Sequence, residues 1–217
     1  MNWNYHHPFK NVFSWAMLLL IVTGAAVAFC WTKADVFRLL NQQHSYPGDL
    51  FFKYVTYVGD GLFMIVLAVV LIGLGRRKLG ILMILSFLLA GLVAQTVKRI
   101  NPQPRPGLYF SKQPQLMPGC GVHCVDGNLL KGNNSFPSGH TTTAFAMFSL
   151  LAFASRNKLY QLLFFITAVM VGYSRVYLGQ HFFLDVLAGA VIGYLTSFLL
   201  LYLFRNREFG GTEDGSI

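Results

Sequence analysis

Three groups of residues in this chain carry side chains that handle phosphate. Lys98 is followed, after a gap of six residues, by Arg105-Pro106. Pro137-Ser138-Gly139-His140 runs unbroken. Ser174-Arg175 precedes His181 by five intervening residues, and Asp185 follows after three more. Together the groups hold three fixed cations, two imidazoles and one carboxylate. Such a set can grip a phosphoryl group, attack it with an imidazole and protonate the oxygen that leaves. A guanidinium offers a planar fork matched to phosphate oxygens, whereas the Lys ammonium is a compact point charge.

Each group also has a plainer reading. Lys98 ends an apolar run, and the prolines of 101–106 break the helix, so Lys98 and Arg105 would serve equally as cations snorkelling to a membrane surface. Pro137 and Gly139 mark a turn before a helix begins. The first turn of a helix presents free backbone N–H groups and the positive end of its dipole, which favour an anion. Gly139 lets that backbone approach closely. Ser138 then donates its hydroxyl to a phosphate oxygen or only caps the helix. His140 is a general acid or an interfacial ring. His181 and Asp185 stand four apart, the spacing that shares one helix face. Asp185 can accept the Nδ1 proton and leave Nε2 free to attack, the orienting logic of a catalytic triad. The alternative is a structural His–Asp pair at a helix end.

In this order and spacing the groups resemble the signature of the type 2 phosphatidic acid phosphatase superfamily: K-x6-R-P, then P-S-G-H, then S-R-x5-H-x3-D. The chain shows no departure at any signature position, and the resemblance covers residues 54–204. It implies a six-helix membrane bundle with the site at its outer face. It implies that His181 is the nucleophile that forms a phosphohistidine, that Asp185 orients it, and that His140 protonates the leaving oxygen and later activates water. Lys98, Arg105 and Arg175 would hold the phosphoryl oxygens, helped by Ser138 and the Gly139 backbone N–H. Three cations would take the part that metal ions play elsewhere, so no metal or other cofactor is expected.

The elements that must position these residues are membrane spans. Of 217 residues, 54% are hydrophobic and 12% are charged. Soluble domains carry about 25% charged residues. The mean hydropathy is +0.51. Apolar runs occupy 14–31, 54–75, 79–97, 141–155, 159–172 and 182–204. A spanning helix needs about 20 residues. The pattern predicts an all-α fold of six transmembrane helices, one domain over 1–209, and a disordered cytoplasmic tail over 210–217. Ala26-Val27-Ala28 resembles a signal-peptide cleavage site. The run around it exceeds the usual core of about 7–15 residues, so an uncleaved first span is expected.

Basic residues set the orientation. Arg76-Arg77-Lys78, Arg156 with Lys158, Arg205 with Arg207, and Lys10 all fall on one side of a six-span arrangement. Short basic loops stay cytoplasmic. Both termini are therefore expected in the cytoplasm of a bacterial-type inner membrane. The long loop 98–140 and the turn 175–181 then face outward, and that extracytoplasmic loop carries part of the active site. A net charge of +9 raises the question of nucleic acid, but the cations form no stripe and no known module. The expected partners are the bilayer and a lipid phosphate, with no nucleic acid. Nothing in one sequence bears on oligomeric state.

Residues 32–53 mix charge with apolar side chains and read as an amphipathic helix in the outer interface or as a connection packed on the bundle. Cys120 and Cys124 form a C-x3-C pair that permits a disulfide outside the cytoplasm. With His123 between them they offer too few ligands for a closed zinc site. Lipid choice falls to 32–53 and to the outer loop, where Gln113, Gln115, His123, Asp126, Asn128, Lys131, Asn133 and Asn134 are unranked.

The expected activity is removal of a phosphate monoester or pyrophosphate from a lipid: undecaprenyl pyrophosphate, phosphatidylglycerol phosphate, phosphatidic acid or a lipid A phosphate. A phosphotransferase would pass the same phosphohistidine to an alcohol or a second lipid headgroup. A vanadium haloperoxidase shares such a cage, but those proteins are soluble. A transporter would spread its charges across the membrane depth, whereas these cluster at one face. An inactive relative that only binds lipid phosphate is the remaining reading.

Overall fold

The computed structural model describes residues 10–117, 121–127 and 129–205. Cys120 and the tail 210–217 lie outside the described residues, and with them the disulfide and disordered-tail readings. Among the described residues the regular structure is helical: α1 (Val12–Cys30), α2 (Lys33–Asn41), α3 (Tyr46–Val55), α4 (Gly61–Gly73), α5 (Arg77–Ile100), α6 (Pro106–Lys112), α7 (Gly139–Ala154), α8 (Lys158–Tyr177) and α9 (Phe183–Phe204). A 3-10 turn over Thr56–Gly59 joins α3 to α4. Capping side chains begin several helices, as expected for Ser, Thr, Asn and Asp at that position. Asn11 accepts from the Phe13 N–H, Ser45 from Gly48, Asp60 from Leu62 and Asn157 from Leu159.

α1, α5, α8 and α9 have the length and hydropathy to cross a bilayer, and α3 with α4 makes a fifth span if its 57° bend is one broken helix. α7 has 16 residues and sits in the middle of the bundle, with Thr141, Phe145, Met147, Ser149 and Phe153 all buried. Large apolar side chains of the outer helices, such as Trp15, Leu19, Val66 and Leu92, face outward. That is the arrangement lipid demands. Inside, small residues let the backbones approach, as membrane bundles require. A Cβ on Gly193 of α9 would lie 2.2 Å from the Thr142 carbonyl oxygen, and one on Gly189 would lie 2.6 Å from that of Ser138. The hydroxyls of Ser86 and Ser197 pair at 2.7 Å between α5 and α9.

Residues 32–53 form two helices rather than one. α2 packs Ala34 and Phe37 against Phe110, Val176 and Phe182, so it belongs to the bundle. The segment around His123 is tied down as well. The His123 ring stacks on His44 with centroids 3.9 Å apart, and its Nε2 lies 2.8 Å from Asp49 Oδ1. Tyr177 donates its hydroxyl to the same oxygen.

Candidate active site

Helix ends meet at one end of the bundle. α5 and α8 bring Lys98 and Arg175 near their C-termini, α7 brings Gly139 and His140 at its N-terminus, and His181 precedes α9. Arg105 enters from the loop before α6. These six residues line one cavity of about 650 Å³, with Lys53, Thr56, Gln95, Arg99, Asn134 and Gln180 also in its wall.

Two neutral amides string the cations together. Lys98 Nζ donates to the Asn134 carbonyl at 2.7 Å, and Arg105 Nε donates to the Asn134 side chain at 2.8 Å. Arg105 Nη1 also donates to the Gln180 carbonyl at 3.2 Å. Arg175 donates to the Gln180 side chain and to the Thr56 hydroxyl. Neutral partners fix the geometry without cancelling the charge. Arg175 is only 5% exposed, and its Nε has no hydrogen-bond partner among the described residues. Buried polar groups are rarely left so. A guanidinium with one spare donor in a polar cavity is set for an anion. Burial lowers the Arg105 pKa, with Asp185 acting the other way, but a guanidinium stays charged at neutral pH.

The His181 ring is buried, with Nδ1 3.5 Å from Asp185 Oδ2 and 3.4 Å from the Ser135 hydroxyl. Ser135 donates its hydroxyl to that same carboxylate oxygen, and the Phe182 backbone N–H donates to it at 2.9 Å. The pairing has a different origin from a shared helix face. α9 begins at Phe183, so His181 lies ahead of the helix. Asp185 is in its first turn and reaches back to the N-cap N–H, as the acidic half of a capping box does. Burial pushes the His181 imidazole down to about 3, with the Asp185 hydrogen bond opposing and the Arg175 and Arg105 charges reinforcing the fall. The ring is therefore neutral at physiological pH, the state a nitrogen nucleophile needs.

Ser138, read from sequence as a phosphate contact or a cap, lies outside the cavity lining. It is fully buried, its hydroxyl accepts from Thr141 at 2.9 Å, and its N–H donates to the Asp185 carbonyl at 2.9 Å. It ties the start of α7 to the start of α9 behind the cavity wall. Gly139 does line the cavity, and the space a Cβ would occupy there is open. Of the polar residues named in the loop before α7, Asn134 lines the cavity, and His123 is engaged by Asp49 instead.

Residues 79–209 match the PAP2 superfamily. The chain belongs to that family. It is 31% identical over 168 residues to the undecaprenyl-diphosphatase of Sulfolobus acidocaldarius, covering 77% of this chain and 76% of that one. It is 30% identical over 164 residues to phosphatidylglycerophosphatase B of Bacillus subtilis, covering 67% and 70%. The crystal structure of Aquifex aeolicus LpxE matches with a TM-score of 0.67 at 29% identity, over 77% of this chain and 93% of that one. Around its PAP2 signature the chain adds Asn134, Ser135 and Gln180, to which sequence reasoning gave no structural role. The signal was proximity: Gln180 lies inside the gap between Arg175 and His181, and only Phe136 separates Asn134 and Ser135 from the second group.

Proposed function

We propose that this PAP2 protein is an integral-membrane lipid phosphate phosphatase that works through a phosphohistidine. His181 Nε2 attacks phosphorus and forms a P–N bond. The P–O bond to the lipid breaks, its electron pair stays with the leaving oxygen, and His140 gives that oxygen a proton. Asp185 and Ser135 hold Nδ1, so the free nitrogen is the one that attacks. Water, deprotonated by His140, then attacks phosphorus, the P–N bond breaks and inorganic phosphate leaves. Lys98, Arg105 and Arg175 stay fixed around the non-bridging oxygens as their charge redistributes, with the Gly139 N–H beside them. Metal is not required in this scheme. The observation that carries it is the spare, buried Arg175 Nε, facing a need for an anion in a cavity that also holds two histidines.

The relatives' names supply the substrate class: a polyprenyl diphosphate, phosphatidylglycerophosphate or a similar lipid phosphate. The bundle is read as six spans: α1, α3 with α4, α5, α7, α8 and α9. α7, about 24 Å long at 1.5 Å per residue, is shielded from lipid by its neighbours and can be shorter than a lipid-facing span. The site end faces away from the cytoplasm, because Arg76, Arg77, Lys78, Arg156, Lys158 and Arg205 gather at the other end.

The test is phosphate release by the detergent-purified chain from undecaprenyl pyrophosphate, phosphatidylglycerol phosphate, phosphatidic acid and lipid A. Selective release is expected, with His181→Ala slower by at least about 10³-fold. A new phosphorylated lipid in place of free phosphate would make the protein a transferase. Near-normal turnover by His181→Ala would remove the nucleophile.

A further inference from the structure

His140 must arrive at the leaving oxygen with a proton, and its surroundings resist that. Arg175 of α8 and Arg105 of the outer loop line the same cavity as the ring. Like charges repel, so an imidazolium in this company needs an anion. The carboxylate beside it is that of Asp60. Its Oδ2 lies 3.9 Å from His140 Nε2. At that separation the two form an ion pair across a gap rather than a hydrogen bond.

The fold fixes Asp60 in place. Its other oxygen caps α4 by accepting from the Leu62 N–H at 2.8 Å. Gly59 before it packs so closely that a Cβ would lie 2.5 Å from Val171 and 2.8 Å from the His140 carbonyl oxygen. Gly61 after it would place a Cβ 2.5 Å from the Phe87 ring. The bend between α3 and α4 is thereby wedged against the first turn of α7. The same bend supplies the Thr56 hydroxyl to Arg175.

From this geometry we infer that Asp60 is a positioning residue for the general acid. Its carboxylate offsets the two guanidiniums and keeps a proton on His140 until the lipid oxygen departs. The proton then moves to that oxygen with the electron pair of the broken P–O bond. His140 is left neutral, ready to take the proton of the attacking water. The inference rests on the phosphatase reading above. It also accounts for the break in the span, since the interruption carries a carboxylate to His140 and a hydroxyl to Arg175.

Asp60→Asn keeps an oxygen to cap α4 and removes the charge; Asp60→Ser is a second variant that retains a cap. Both are compared with the full-length wild-type chain on phosphatidic acid, whose alkyl oxygen needs a proton to leave, and on p-nitrophenyl phosphate, whose phenolate needs little help. Turnover of phosphatidic acid should fall about 10- to 100-fold, with p-nitrophenyl phosphate within about threefold of wild type. The basic limb of the turnover–pH profile for phosphatidic acid should move to lower pH, and Asp60→Glu should restore part of the rate. Equal losses on both substrates with an unmoved limb would make Asp60 a structural cap only. Wild-type rates in Asp60→Asn would overturn the inference outright. A wild-type chain inert on every lipid phosphate would overturn the phosphatase reading instead, and the inference with it.

Discussion

His181 is held neutral by burial, and burial has a cost that pH exposes. Its folded pKa, about 3, lies below the ordinary histidine value of about 6.5. Between those values the unfolded chain binds a proton that the folded chain refuses. The contribution to stability is complete above about pH 6.5 and is lost as pH falls toward the folded value. Thermal unfolding in detergent should therefore drop more steeply between pH 7 and 4 for wild type than for His181→Asn; parallel curves would show that the ring is charged in the fold. Residue types and spacing pointed to groups that the fold does bring to one cavity, because phosphate chemistry leaves few ways to arrange them. Ser138 was left open between a phosphate contact and a cap because a serine in a helix-starting turn can face a cavity or a neighbouring helix, and only packing decides. Asp60 had no motif to announce it: its role depends on a bend between two helices, and the apolar run 54–75 hides that bend.

Helices α7 and α9 are held together where side chains are missing. A Cβ at Gly193 would meet the Thr142 carbonyl oxygen at 2.2 Å and the Ala146 nitrogen at 2.8 Å, both backbone atoms. Neither can swing aside. Gly193→Ala should therefore destabilise the detergent-purified protein by about 1–3 kcal/mol, the usual cost of overpacking. Gly91→Ala in α5, where a Cβ meets nothing within 4 Å, should be neutral or slightly stabilising through helix propensity. Equal effects at the two sites would deny the close approach. Hydropathy marked every long helix but blurred two. α7 is short and carries hydroxyls because protein surrounds it. The run 54–75 joins the end of α3 to α4, because a 3-10 turn of Thr56–Gly59 leaves little trace in composition. α2 was ambiguous for the opposite reason: its mixed surface suits an interface as well as the packed position it occupies.

On the scale of the whole molecule the two ends differ in kind. One gathers the cavity. At the other, Asn11 of the chain leading into α1 donates to the Ala152 carbonyl of α7 at 2.9 Å, Gln161 accepts from the Val12 N–H, and Lys78 donates to the Arg205 carbonyl. Cys30, at the far end of α1, is exposed on the cavity side. With Cys120 and Cys124 replaced by Ser, a membrane-impermeant maleimide should label Cys30 in intact cells and should not label Arg156→Cys in a chain that also carries Cys30→Ser. The reverse pattern would invert the orientation. The glycine contacts between α7 and α9 have one more consequence. Both histidines ride on that pair, one at the start of α7 and one just ahead of α9, so their separation is set by backbone against backbone. Among the described residues, helices α2 and α3 and the loop 113–135 share no such glycine contact with them. The peripheral segments of this fold can therefore change without moving the two rings, which leaves lipid choice separable from chemistry in a chain whose relatives are named undecaprenyl-diphosphatase, phosphatidylglycerophosphatase B and lipid A 1-phosphatase.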